Sequence, residues 1–141
     1  QPWQAVFVAP PELVPDRPPN VVVRTRIPQL AVLARCDAVV SHAGHNTVCE
    51  SLAAGLPLVV APIRDDQPVV ADQVVKAGAG VRVKFTRVRA EALREAIHHA
   101  LTDPDLRSAA RRIADSFTTA GGAPAAADAL ESLQPDPANI G

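Results

Sequence analysis

Methionine and tyrosine are missing from this 141-residue sequence altogether, tryptophan occurs once and phenylalanine three times. A core so poor in aromatics must be filled by alanine, valine and leucine, a composition that suits helices packed on a parallel sheet. With no Met and a start at Gln1, the sequence is expected to be a fragment of a longer protein. Cysteine is limited to Cys36 and Cys49, too few for a disulfide framework or a structural metal site. The expectation is a reducing, cytoplasmic setting and inert, largely buried thiols. Charge of one sign is also lacking: 14 Lys plus Arg against 15 Asp plus Glu leave a net charge of -1. That excludes the electrostatic footprint of a nucleic-acid or anionic-membrane binder. No apolar run approaches the roughly 18 residues of a membrane span, and no basic-then-apolar signal opens the chain. No Gly-x-Gly-x-x-Gly follows the first apolar segment, which sets aside a nicotinamide oxidoreductase.

What is present is a chain that is 48% hydrophobic, long enough for one domain with a real core. Short runs rich in β-branched residues predict strands at 5–8, 21–23, 38–40, 58–60 and 81–83. Helical spacing predicts helices at 30–34, behind the third strand, at 68–77, 90–101 and 106–117, and from the Gly121-Gly122 hinge to 133. Asp103-Pro104 reads as the break between two of them. Alternation of this kind implies an α/β fold, a doubly wound parallel sheet. The domain is expected over 1–133, with a frayed tail at 134–141. Ligands of such sheets bind past the carboxyl ends of the strands, where Arg26 to Gln29, His42 to Thr47 and Pro62 to Gln67 all fall.

The segment Ser41-His42-Ala43-Gly44-His45-Asn46-Thr47-Val48-Cys49-Glu50 carries the most chemistry. A strand turning through small and polar residues into a helix presents unpaired N–H groups and the positive end of the helix dipole, which favour an anion, most often a phosphate. His42, Asn46 and Thr47 add donors, and Glu50, a turn into the helix, suits a pair of sugar hydroxyls. Plainer roles stand beside these. His42 can satisfy strand-end carbonyls, Asn46 and Thr47 can cap the helix, Gly44 can be an ordinary turn glycine, and Glu50 can be a first-turn carboxylate favoured by the dipole. Asp66 can cap the helix entered at Pro68, and Gln29 can be a solvated loop residue. His98-His99 do not converge on one ion, because adjacent helix positions diverge.

In order and spacing, Pro28-Gln29, the block from His42 to Glu50, Gly55-Leu56-Pro57, and Pro62 to Asp66-Gln67 resemble the donor-binding signature of family 1 glycosyltransferases, the UDP-dependent and macrolide type, with wording close to actinobacterial members. The resemblance implies the carboxy-terminal half of a GT-B fold, a Rossmann-like domain lacking its first strand and helix. It also implies an inverting, metal-independent glycosyltransferase that moves a hexose from a UDP- or TDP-sugar to a hydroxyl of a small-molecule acceptor, with no cofactor and no metal. By resemblance His42, Gly44, Asn46 and Thr47 meet the diphosphate. Glu50 accepts from the ribose, Gln29 bonds the ribose or base, and Asp66 and Gln67 hold hydroxyls of the transferred sugar. Arg26 stands where the family often has Trp stacking on the base. A guanidinium plane can stack as well or point to solvent, so uracil and thymine both stay open.

The family's catalytic base lies in the acceptor domain, outside this chain, so the chain is expected to be inactive alone. A cleft face left uncovered can favour a homodimer. Other readings are a stand-alone donor-binding subunit that needs a partner chain, and a sugar-nucleotide epimerase domain, which Asp66-Gln67 disfavours.

Overall fold

The computed structural model describes residues 3–133; the frayed tail expected at 134–141 lies outside the described residues. The chain divides into compact units, one up to Arg35 and one from Cys36 onward.

In the first unit, β1 (Ala5–Val8) pairs in parallel with β2 (Val21–Arg24), Ala5 opposite Val21 and Val8 opposite Arg24. The connection carries a 3-10 turn at Pro11–Leu13 where the Pro-Pro pair forbids a strand. Asn20 Nδ2 donates to the Trp3 carbonyl at 3.0 Å, tying the entry of β1 to the entry of β2. Helix α1 (Gln29–Leu33) follows Pro28 and seats Leu33 in the interior, as Val23 is from β2. Val6, Phe7 and Val8 of β1 remain exposed.

In the second unit, β3 (Val39–Ser41), β4 (Leu58–Val60) and β5 (Gly80–Arg82) form a three-stranded parallel sheet in that order. Central β4 is an unbroken apolar run with Leu58, Val59 and Val60 each at 0% exposure. A parallel strand covered on both faces takes this form, and each such side chain contributes about 1.5–3 kcal/mol on leaving water. The helices of this unit are α2 (His45–Ala53), α3 (Gln67–Lys76), α4 (Ala90–Thr102), α5 (Pro104–Thr119) and α6 (Gly122–Ser132), the last with no buried residue. Val48 and Leu52 of α2, Val70 and Val74 of α3, and Ala109 and Ala110 of α5 close on β4 in one core. Alanines on α5 let it approach α2 closely. Helices α2 and α3 both end in a left-handed glycine, Gly55 and Gly78. In each the next residue's N–H reaches back to the final turn, Leu56 to the Ser51 carbonyl at 3.0 Å and Ala79 to that of Val74 at 3.1 Å, so the chain turns sharply into the following strand.

Asp103-Pro104 is the break between two helices, as the sequence reads, and it is also the start of the second. Asp103 is the N-cap of α5, its Oδ1 accepting from Asp105 N–H at 2.7 Å and Leu106 N–H at 3.3 Å, with Pro104 in the first position. Proline costs nothing there because that N–H has no helical partner. Asp103 Oδ2 lies 2.6 Å from His99 Nε2. The His99 hydrogen bond, then those from the backbone, hold the Asp103 carboxyl below its ordinary value. A carboxyl that binds its proton less tightly in the folded chain than in the unfolded one stabilises fully above the ordinary aspartate range and loses that contribution as pH falls through the lowered value. Asp103→Ala is therefore expected to lower the melting temperature at neutral pH, with the gap to the parent closing in acid. Thermal unfolding across a pH series checks this, and a gap constant with pH would contradict it.

Among the described residues no helix is long and apolar enough to cross a membrane.

Candidate functional site

Ser41, Val60 and Arg82, the last residues of the three strands, lie in register. The ladder runs one step further: Ala61 N–H donates to the Ser41 carbonyl at 2.8 Å and Val83 N–H to that of Val60 at 2.9 Å. Three loops thus leave one edge at the same level, after β3, β4 and β5.

The loop after β3 is a strained turn. Ala43 adopts φ 68° while fully buried, and its N–H donates to Ser41 Oγ at 3.2 Å. Left-handed backbone is disfavoured for any residue with a Cβ, so burial of the Ala43 methyl and the Ser41 hydroxyl hold it there. Gly44, the N-cap of α2, is in contrast extended at φ -62° and ψ 133°. Its need is space. A Cβ on Gly44 would stand 2.7 Å from His42 Nε2 and 3.3 Å from the adjoining ring carbon. The His42 imidazole therefore lies across the entrance of α2. Gly44 has no side chain with which to cap that helix, and a helix start carries both N–H groups that lack intrahelical partners and the positive end of the dipole.

Asn46 and Thr47 are the second and third residues of α2, not its cap, so the capping role drawn from residue type does not apply. Glu50, half-buried, is the sixth residue of the helix, past its first turn, on the same face as exposed Asn46 one turn earlier. Ser51 is fully buried and donates to the Thr47 carbonyl at 2.6 Å.

In the loop after β4, Asp65 is left-handed at φ 57°, and Asp66 occupies the N-cap position of α3 without a side-chain cap bond. Gln67 curls back instead: its Oε1 accepts from Ile63 N–H at 2.9 Å and Arg64 N–H at 3.1 Å. The amide oxygen thus fixes the loop, leaving the NH₂ group to donate outward, and the Asp66 carboxylate stays exposed. Arg26, exposed, follows β2, and Gln29, half-buried, opens α1. Both belong to the first unit, whereas His42, Gly44, Asn46, Thr47, Glu50, Asp66 and Gln67 share the carboxyl edge of the second.

The cysteines depart from expectation, for both are half-buried. Burial, then the Asp37 charge, pushes the Cys36 thiol up, and Cys49 Sγ lies 3.6 Å from His45 Nε2 on the next turn of α2. Among the described residues no three of His, Cys, Asp and Glu gather as a metal ligand set. Sequence reasoning passed over Ser41 and Ala43; a serine two residues before a buried small residue at a strand end was the available sign of a side-chain-closed turn.

The family described as "Erythromycin biosynthesis protein CIII-like, C-terminal domain" matches residues 9–133. The protein called "Uncharacterized UDP-glucosyltransferase YojK" of Bacillus subtilis (strain 168) is 40% identical over 82% of this chain and 28% of its own length. Among solved structures, the glycotransferase of kitacinnamycin superposes with a TM-score of 0.86 at 34% identity, over 94% of this chain and 36% of that one. CalG4, the calicheamicin glycosyltransferase, gives 0.87 at 30% identity, over 93% and 35%. This chain thus spans about a third of the length of these relatives, between 28% and 36%. It belongs to the erythromycin biosynthesis protein CIII-like C-terminal domain family, the carboxy-terminal part of GT-B glycosyltransferases.

Proposed function

We propose that the chain binds the nucleotide-sugar donor of an inverting, metal-independent glycosyltransferase. The observation that carries this reading is the start of α2, whose N-cap is a glycine without a side chain and which the His42 ring crosses over Gly44. A diphosphate fits there, with first-turn N–H groups and His42 as donors. Asn46 and Thr47 assist, and Glu50 accepts from the ribose hydroxyls. Asp66 with the Gln67 NH₂ group holds sugar hydroxyls. The acceptor hydroxyl, deprotonated by a base in another domain, attacks the anomeric carbon opposite the diphosphate. The C–O bond to the phosphate breaks, its electron pair stays on the phosphate oxygen, and the configuration inverts. This chain's share is to meet that developing charge with donors already in place, a task that needs no metal. The acceptor is a small molecule, and the chain alone does not turn over. The name of the Bacillus subtilis relative, a UDP-glucosyltransferase, favours UDP as the nucleotide.

Calorimetric titration of the chain with UDP, TDP, UDP-glucose and TDP-glucose tests the reading. Hydrogen bonds to charged groups are worth about 1.5–3 kcal/mol, so His42→Ala is expected to weaken UDP by roughly 10- to 100-fold. Glu50→Ala should weaken nucleotides with a ribose diol and leave inorganic pyrophosphate unaffected. Absence of saturable nucleotide binding by the folded chain would overturn the proposal. Gly44→Ala separates geometry from folding: its methyl meets only the end of a side chain, so the melting temperature should hold while UDP binding weakens about tenfold through the displaced ring.

A further inference from the structure

The third loop of the carboxyl edge was not singled out in the sequence, yet it borders a recess of about 360 Å³, within the range of small-molecule sites. Pro62, Ile63 and Phe85 give it apolar walls, Arg82, Lys84 and Arg87 give it positive charge, and no carboxylate lines it. The Arg82 guanidinium is engaged by Asp72 of α3. Among the described residues Lys84 and Arg87 have no ion-pair partner. A turn brings those two together: Arg87 N–H and Val88 N–H both donate to the Lys84 carbonyl, at 3.0 Å and 2.8 Å. Two free cations against an apolar wall, with Phe85 and Ile63 each about half exposed (53% and 52%), match a carboxylate carried on a ring. A guanidinium offers such a group a bidentate partner.

Position says which carboxylate. Strand β4 lies between β3 and β5, and neighbouring strands are about 4.8 Å apart. The recess therefore lies between the loop of Asp66 and Gln67 and the loop after β5, on the side away from the α2 turn. We infer that the recess formed by Ile63, Phe85, Lys84 and Arg87 is a subsite for a carboxylate-bearing ring lying beyond the transferred sugar's phosphate-linked end, either the carboxylate of an acidic donor sugar or that of an acidic acceptor. The inference rests on the donor reading for what lies next to the recess, but not for the chemistry of the recess itself.

Amide-resolved NMR titration of the chain separates the possibilities, using UDP, UDP-glucose, UDP-glucuronate, benzoate and benzamide. Exposed ion pairs are weak, so the expected preference for the acid is roughly threefold to tenfold. UDP-glucuronate bound more tightly than UDP-glucose, with the preference abolished by Lys84→Ala/Arg87→Ala, makes the donor sugar the occupant. Benzoate shifting the amides of 83–87 where benzamide does not, with both sugar nucleotides bound alike, makes it the acceptor. Failure of UDP to bind while benzoate still maps to the recess removes the donor reading and keeps the subsite. No discrimination by either acid, or discrimination that survives the double substitution, overturns the inference.

Discussion

Gly80→Ala is expected to cost about 3 kcal/mol of stability, near the upper end for overpacking. Gly80 opens β5 opposite Leu58 of the central strand, and a Cβ there would stand 2.4 Å from the Leu58 carbonyl oxygen and 2.8 Å from Val74 Cγ1. Neither neighbour can retreat. The carbonyl is part of the β4 backbone between its paired strands, and Val74 is only 2% exposed in the core. The backbone of Gly80 is not left-handed, so the requirement is for missing volume and not for a special φ. At roughly 3–5 °C per kcal/mol for a chain of 141 residues, between the ranges of smaller and larger domains, the melting temperature should fall by about 9–15 °C, read by circular dichroism. A change of only a few degrees would mean that β4 and β5 can separate, against the packing described.

Ala43→Val is expected to do comparable damage and to strike binding as well. A β-branched side chain at φ 68° is a conformational outlier, and the position is at 0% exposure, so the added methyls have no space either. The left-handed cost of a Cβ is already present with alanine, so the added loss is overpacking of about 1–3 kcal/mol together with the further strain of a β-branched side chain at that φ. The turn cannot form unaltered, so nucleotide binding should be lost even where the fold survives at low temperature. Ala43→Gly is the informative companion. It relieves the strain but gives up a buried methyl worth about 0.8 kcal/mol and frees the unfolded chain, so its unfolding midpoint in urea should stay near the parent's. If valine proved as harmless as glycine, the turn would not be held by Ala43.

The strand, turn and helix around His42 were readable because residue type and order carry them. A β-branched run, small polar residues and then helix formers leave few alternatives, and the family match at residues 9–133 agrees. The division of labour within the turn was not readable. Glycine is the natural choice for a left-handed position, yet Ala43 takes it and Gly44 is extended, because the His42 ring claims the space a Cβ would fill. That depends on where a side chain folds, which no local propensity encodes. Gln67 is similar: the sequence puts an amide at a helix start, but its return to the 63–64 backbone depends on the path that left-handed Asp65 imposes. Lys84 and Arg87 went unnoticed because they fall between the strand read at 81–83 and the helix read at 90–101, outside any recognised motif, and the turn that joins them exists only in the fold.

The level row of Ser41, Val60 and Arg82 has an engineering consequence. Because the ladder bonds close before each loop departs, exchanging 62–67 or 83–88 for the matching segment of a relative changes no strand register. The edge behaves as a set of interchangeable fittings on a fixed rail, so chimeras cut at these residues would alter ligand preference one loop at a time. A residue inserted upstream, within β3, would by contrast turn every later side chain of that strand to the opposite face.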